Sequence, residues 1–425
     1  MKKIYKAAVI GGGAAGLMCA VELFSQTPPV KLPKPESAPS VVESRVKNPE
    51  NFKKRPERGE VIIIEKTDRV GKKLLATGNG QCNLSNARLS ENNYYGERDF
   101  VKSAVSVIKQ TDIPSYFYRL GLPLTEGGEG KLYPLSRRAN AVCDLFRAYL
   151  TDKAEFLLGT TVSEINFKDG VFIIGCKNSA VYAENVVVAA GGAAGKQYGT
   201  DGTSYRLLEG FGHKRTKIYP SLVQVKTERD KIKGLKGVKE CADVSAYDGD
   251  RLLKRGKGEV LFTEYGISGT AVFQVSGHLA SAVSPWVKIS FLPEIDFGKL
   301  KVLLSDRIKF APYMTGENLL NGIVNKKTGV AVMKTAESLS PEDLSFALKN
   351  FSLRVNGTLG FDSAQVTKGG IDTDSFDSVT FESKLQRGLY AVGEILNVDG
   401  DCGGYNLSFA FASAIAAARN IKERM

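Results

Sequence analysis

Six residues near the start of the chain, Gly11-Gly12-Gly13-Ala14-Ala15-Gly16, carry the spacing G-x-G-x-x-G. Glycine at the first position permits a tight turn. At the second it lets a pyrophosphate approach the backbone, and at the third it lets a helix pack closely on a strand. A helix opening here offers free N–H groups and the positive end of its dipole to phosphate. The apolar run 6–10 precedes the glycines and the run 17–24 follows. The motif therefore sits between an expected strand and an expected helix, the context that gives it meaning. Such a site also needs an acid after the second strand, to accept ribose hydroxyls. Glu65 ends the apolar run 61–64, 49 positions beyond Gly16 where about 20 is usual. A proline-rich stretch between them accounts for the excess. The acceptor suits an adenosine with a free 2′-hydroxyl, as in FAD and NAD.

Further segments suit a polar ligand. GKKLLATGNGQCNLSN, residues 71–86, is too polar and glycine-rich for a core element. Its Thr77, Gly78, Gly80, Gln81, Asn83 and Asn86 combine close backbone approach with amide donors and acceptors. Lys72 or Lys73 would neutralise a pyrophosphate. Gly191-Gly192 follow the apolar run 183–190. GLYAVGE, residues 388–394, leads into a glycine-rich loop at 399–404 and an apolar helix expected over 406–421. GLYAVGE resembles the G-L-Y-A-x-G-[DE] segment of two-dinucleotide-fold flavoproteins. There a strand ends in Gly and an acid that hydrogen-bonds the ribityl chain of FAD. The resemblance implies that Gly393 and Glu394 meet the ribityl chain and that the helix N-terminus after Gly404 faces the ring. A positive helix end there favours the anionic reduced flavin.

Taken together, GKKLLATGNGQCNLSN, GEVLFTEYGISGTAVFQVS and GLYAVGEILNVDGDCGGYNLSFAFASA resemble the BaiN-like flavoproteins, a family of NAD(P)/FAD-dependent oxidoreductases. The likeness runs from Lys6 to Ile421, apart from the proline-rich stretch. It implies an α/β fold: a discontinuous Rossmann-like FAD-binding domain with an inserted antiparallel β domain that carries a small helical insert. The expected limits are 1–200 and 369–425 for the FAD domain, with 26–60 a proline-rich surface insertion. The β domain takes 201–292 and 351–368, and the helical insert 293–350. The FAD contacts expected from motif and resemblance are Gly11, Gly13, Ala14, Ala15, Gly16, Glu65, Lys66, Lys73, Thr77, Gly78, Gly80, Gln81, Asn83, Val162, Ala190, Gly191, Gly192, Gly393, Glu394, Asp401, Gly404, Tyr405, Asn406 and Leu407. The family's proposed chemistry is reduction of a carbon–carbon double bond conjugated to a carbonyl, in bile-acid-like steroids for its namesake. The chain departs from the family pattern in three places. Gln81 stands where an arginine is usual, Thr270 where a proline is usual, and Cys402 where a cysteine is not usual. Gln81 removes a fixed cation that would bind phosphate or polarise a substrate oxygen.

Reducing an enone takes hydride from flavin N5 at the β-carbon and a proton at the α-carbon. The phenol of Tyr405 is a candidate proton donor. Cys402 is the other candidate catalytic group: a helix N-terminus would lower its pKa and favour a thiolate beside the flavin. The alternative for both is simple packing. NAD(P)H is the expected transient electron donor. No second G-x-G-x-x-G is present, so it docks without a Rossmann half of its own, or another donor serves. No metal site is expected, because the six cysteines show no C-x-x-C pair and only His213 and His278 are available. His213 reads as a surface residue.

Elements must hold these residues in place. Helical patterns fall at 100–110, 114–120 and 139–150, and strands at 161–166 and 171–177. From 219 to 289 short strands and turns suggest an antiparallel unit. Helical patterns return at 299–310, 318–325, 329–337 and 341–349. A length of 425 residues points to about two or three domains. The 43% hydrophobic and 24% charged residues exclude a wholly disordered chain. The longest near-apolar stretch, 409–418, falls far short of the roughly 20 residues a bilayer needs. The N-terminus lacks a signal h-region, so the cytoplasm is the expected compartment. A small-molecule substrate is expected, with no membrane or nucleic-acid partner, and the oligomeric state is open. The net charge of +12 is uneven: residues 212–257 hold 13 Lys/Arg against 6 Asp/Glu. That segment reads as a solvated face, or as a surface that steers an anion. It motivates one alternative function, a flavin-dependent RNA-modifying enzyme, although the sequence shows no interleaving of aromatic and basic residues. A non-catalytic flavin redox sensor is the other.

Overall fold

The computed structural model describes residues 2–25, 55–177 and 179–425. The expected surface insertion at 26–60 therefore lies, as far as residue 54, outside the described residues. The chain forms two compact units, Met1–Ile218 with Thr367–Met425, and Tyr219–Val366.

The first unit opens with β1 (Ile4–Ile10), α1 (Ala14–Phe24), β2 (Val61–Ile64) and α2 (Lys72–Ala76). Then come α3 (Arg98–Thr111), α4 (Ile113–Arg119), α5 (Ala139–Leu150), β3 (Glu155–Leu157), β4 (Val162–Lys168), β5 (Val171–Cys176) and β6 (Ser179–Val188). The strands lie in the order β3-β2-β1-β6-β5-β4. Strands β3, β2, β1 and β6 run parallel, whereas β5 and β4 turn back antiparallel. Every residue of β2 is buried, as are Ala7–Ile10 of β1. Continuous apolar runs of this kind are what a parallel sheet covered on both faces requires. Glu97 caps α3 through the amides of Asp99 and Phe100. Asp112 separates α3 from α4, where Pro114 suits the first turn.

The second unit closes a six-stranded barrel. Its strands are β7 (Val225–Thr227), β8 (Lys239–Asp248), β9 (Arg251–Phe262), β10 (Gly266–Ser268), β11 (Pro285–Phe291) and β12 (Phe351–Thr358). Every pairing in it is antiparallel. Two expectations need correction here. Where short strands were expected, the β8–β9 hairpin is long, with strands of 10 and 12 residues, and the basic residues 251–257 lie within β9. A helix also interrupts the strands: α6 (Thr270–Leu279) starts where Gly269 turns at φ 104°. Its run TAVFQV is apolar and partly β-branched and does not distinguish helix from strand. Gly256 of β9 admits this helix, since a Cβ there would lie 2.3 Å from Ala271 O. Between β11 and β12 come α7 (Phe297–Phe310), α8 (Lys326–Met333) and α9 (Pro341–Lys349). Asp296, Asn325 and Ser340 cap them in turn. The helix expected at 318–325 is absent. Only a turn at Gly316–Asn318 forms, and Gly322 breaks the run at φ 84°. The helix expected at 329–337 lies earlier, because Asn325 supplies the cap.

The chain returns to the first unit with β13 (Leu389–Ala391) and α10 (Tyr405–Arg424). Strand β6 pairs with β5 through Ser179–Ala183 and with β13 through Val186–Val188. Glu22 of α1, 1% exposed, accepts from Tyr116 Oη (2.7 Å), Arg419 Nε (3.0 Å) and Lys422 Nζ (3.2 Å). This buried cluster joins α1, α4 and α10. No described helix is long and apolar enough to cross a membrane.

Candidate functional site

The glycine motif turns the chain from β1 into α1. Gly11 adopts φ 107°, and its amide donates to Ile64 O at 2.8 Å. A Cβ on Gly11 would lie 2.5 Å from Ala189 O, and one on Gly16 would lie 1.8 Å from Gly11 O. Only glycine fits at either place. Gly13 differs, because a Cβ there would meet nothing within 4 Å. Gly13 is also the N-cap of α1, and no side chain caps the helix. The first-turn amides, Ala14 and Ala15 among them, thus lack a side-chain acceptor beside open space, the arrangement that takes a phosphate.

Glu65 follows β2 directly. Its carboxylate accepts from Gly12 N (2.7 Å) and Thr67 N (2.8 Å). The acid is thereby fixed beside the glycine turn, where a ribose acceptor belongs. Lys66 is turned toward Asp201 at 2.8 Å. Val162 opens β4, buried and paired with Cys176. Ala190, Gly191 and Gly192 leave β6, and a Cβ on Gly192 would lie 2.4 Å from Thr367 Oγ1 and 2.9 Å from Glu394 Oε1.

Loop 71–86 meets the C-terminal segment at several points. Lys73 Nζ lies 2.7 Å from Glu394 Oε2, and a Cβ on Gly404 would lie 2.8 Å from Asn83 Oδ1. That Asn83 oxygen is buried without a hydrogen-bond partner. Gly393 reaches the start of α1, where a Cβ on it would lie 3.1 Å from Ala15 Cβ. The structure thus gathers the motif 11–16, Glu65, Lys73, Asn83, Gly192, Gly393, Glu394 and Gly404. Other expected contacts serve the loops themselves. Thr77 Oγ1 donates to Leu74 O (2.7 Å). The Asn86 amide donates to Gly403 O (2.9 Å), and the Asn406 side chain closes on Gly400 N and O, both at 2.8 Å. Gly78 and Gly80 turn at φ 57° and 81°, and the space at Gly80 is open.

A cation that the sequence did not disclose stands at Gln81. Arg137 Nη1 donates to Gln81 Oε1 at 3.4 Å, and its guanidinium lies 5.0 Å from the Tyr133 ring centroid. Arg137 comes from the turn before α5, 56 positions away, and no linear motif links the two.

The loop ahead of α10 holds a group of ionisable side chains. Strand Val398–Gly400 pairs with strand Tyr94–Gly96. Tyr95 Oη donates to Asp401 Oδ1 at 2.6 Å. Lys368 Nζ lies 4.0 Å from Asp399 Oδ1 and 4.7 Å from the Tyr95 ring centroid. Asp399 is 4% exposed, and burial pushes its carboxyl up to about 7, against the pull of Lys368. Tyr405 is buried, edge-on to Tyr94 at 6.0 Å. Burial and then Asp401 raise its phenol, which keeps its proton. Leu407 is half-buried. Cys402 is half-buried too, and burial raises its thiol, contrary to the lowering expected at a helix start. A resident thiolate is disfavoured. His213 is a further correction: it is 3% exposed, stacked on Phe376 at 4.3 Å and held between Ser375 and Ser383. Burial pushes its imidazole down to about 4.

The glycine cradle, the uncapped helix, the acid at the end of β2 and the unpartnered Asn83 oxygen fit a dinucleotide such as FAD. Fold and site together define an FAD-dependent oxidoreductase built on a Rossmann-like sheet. The chain belongs to the HI0933-like family, whose Rossmann domain matches residues 52–420. It is 35% identical to the 3-dehydro-bile acid delta(4,6)-reductase of Clostridium scindens, over 86% of this chain and 93% of that protein. It is 29% identical to the ribosomal RNA dihydrouridine synthase of Haemophilus influenzae, over 98% of each chain. Among solved structures, 3-ketosteroid-delta4-(5alpha)-dehydrogenase from Rhodococcus jostii shares the fold, with TM-score 0.50 and 13% identity over 99% of this chain and 98% of that one.

Proposed function

We propose that the protein reduces a carbon–carbon double bond conjugated to a carbonyl, with NAD(P)H as electron donor, in the cytoplasm. The observation that carries this reading is the convergence of the α1 glycine turn with the start of α10. It joins a phosphate cradle to a loop of proton-holding groups within one unit. The similarity to a 3-dehydro-bile acid delta(4,6)-reductase supports it. FAD, when bound, supplies hydride at its N5. The chain's residues do the rest. Gly11–Gly16 and Glu65 hold the adenosine diphosphate, and Lys73 offsets its charge. Tyr405 holds a proton at Oη for the α-carbon, as a phenol does at neutral pH, and burial raises its pKa further. Asp399, Asp401, Tyr95 and Lys368 fix the loop that presents it.

A second reading follows from the relative that spans 98% of the chain. The C5=C6 bond of uracil is conjugated to the C4 carbonyl, so reducing it demands the same hydride and proton. A steroid enone and an RNA uracil are thus two acceptors for one chemistry.

Anaerobic stopped-flow absorbance in the flavin band tests the proposal. NADH or NADPH should bleach the purified yellow protein, and a small cyclic enone should restore the colour. A protein that purifies without flavin and gains none on reconstitution would refute it.

A further inference from the structure

The second unit carries a cleft that the proposed chemistry does not use. Its volume is about 840 Å³, within the range of about 300–1,000 Å³ seen for ligand sites. Its walls come from residues 230–234, from α8 and from α9 with the start of β12. Five lysines line it, Lys231, Lys233, Lys326, Lys327 and Lys334, against two carboxylates, Asp230 and Glu317. Lys231 is held by Glu228 (3.1 Å) and by Ser352 O (3.0 Å). The other four are exposed and, among the described residues, enter no ion pair. Lys326 and Lys327 occupy the first turn of α8, directly after its Asn325 cap. The helix dipole disfavours cations there, so fold stability does not account for them. Phe346, 61% exposed, lines the same cleft.

We propose that this cleft binds a single-stranded segment of RNA, with the lysines on phosphates and Phe346 against a base. The proposal rests on the RNA reading above and deepens it. Lysines on two walls match a polyanion that runs between them. An aromatic face among cations matches the alternation of phosphate and base. A flat bilayer does not follow a concave surface, and a run of acidic side chains offers no aromatic face to stack on Phe346. The sequence hides this grouping. Lys231 and Lys233 lie in the basic segment 212–257, whereas Lys326, Lys327, Lys334 and Phe346 come from the helical insert.

The test is fluorescence anisotropy of a labelled, unpaired oligouridylate titrated with the flavin-loaded protein across a KCl series. The wild type should bind with a salt-dependent Kd. The variant K326E/K327E/K334E should bind at least about 10-fold more weakly, with its log–log salt slope flatter by about 2, at roughly 0.7 for each phosphate no longer neutralised. Phe346→Ala should weaken binding by about 5- to 100-fold and leave the slope unchanged. Flavin content confirms that the variants are folded. Equal Kd and slope for wild type and lysine variant would overturn the proposal. So would tighter binding of a polyglutamate peptide or of phosphatidylserine vesicles. Reoxidation of the same samples by a small enone reports the chemistry separately. It should be unchanged in the lysine variant, so a failure of the reductase reading cannot be mistaken for a failure of the cleft.

Discussion

Lys73 Nζ lies 2.7 Å from Glu394 Oε2 although 321 positions separate the two residues. The other carboxylate oxygen of Glu394 accepts from Thr367 N at 2.9 Å. One acid therefore ties α2, the entry to the C-terminal segment and the end of β13 at the point where the cofactor is proposed to pass. The side chains are 22% and 21% exposed, which limits the pair to about 1 kcal/mol of stability. Lys73→Ala should accordingly leave the thermal midpoint almost unchanged. It should loosen FAD by roughly 10-fold, the effect of about 1.4 kcal/mol of lost charge compensation, as read by flavin retention on dilution.

Two glycines of one motif should behave in opposite ways. Gly13 has φ −85° and open space at its Cβ, so Gly13→Val should fold and purify colourless. Gly16→Ala places a methyl 1.8 Å from Gly11 O and should lower the yield of folded protein itself. Circular dichroism alongside flavin absorbance separates the two outcomes.

Glu22 sits in the core with Lys422, 4% exposed, and with Arg419. Removing one member of a buried ion pair costs about 3–5 kcal/mol. Glu22→Ala should lower the thermal midpoint by on the order of 10 °C. Glu22→Gln keeps an acceptor for Tyr116 and should cost less.

Burial raises the Asp399 carboxyl from its ordinary value near 3.8 to about 7. Between those values the native state binds more protons than the unfolded state, so stability falls as pH rises. The contribution is complete below about pH 4 and is lost through pH 7. Asp399→Asn should raise the thermal midpoint relative to wild type at pH 8 and change it little at pH 4. Midpoints measured at both pH values check this.

Arg137 brings a guanidinium to Gln81, the position where the resemblance leads one to expect an arginine. Arg137→Ala should weaken flavin or acceptor binding by about 10-fold. Gln81→Arg in the same chain should restore most of it. A double-mutant cycle that shows simple additivity would remove this account.

The elements that carry their own punctuation were legible in the sequence. The β1–Gly11–α1 turn falls where the glycine motif puts it, and α5 where the periodicity over 139–150 puts it. So does β2, whose run VIII has one environment that fits it. α6 was not legible, because an apolar, β-branched run suits a buried strand equally well. The 318–325 helix was misread because Gly322, at φ 84°, outweighs a weak pattern. In the candidate site, the places of Gly13 at the start of α1 and of Glu65 after β2 could be read one at a time. The neighbours of Arg137, Tyr95 and Lys368 could not, since only the fold supplies them. His213 misled because its charged sequence neighbours, Arg215 and Lys217, say nothing of the Phe376 ring beneath it.

Strand β6 has a consequence for how the protein is made. Its C-terminal half waits for β13, and Glu22 waits for Lys422, 400 positions later. During synthesis the N-terminal sheet therefore emerges with an unpaired edge and a buried acid lacking its counter-charge. The barrel unit, complete by Val366, can finish folding before the unit that encloses it in sequence. The proposed cofactor cradle closes last, when Gly393 reaches Ala15 and Gly404 reaches Asn83. Such long-range closure is slow, and truncation within the last helix should leave a protein that aggregates rather than one that merely loses its flavin.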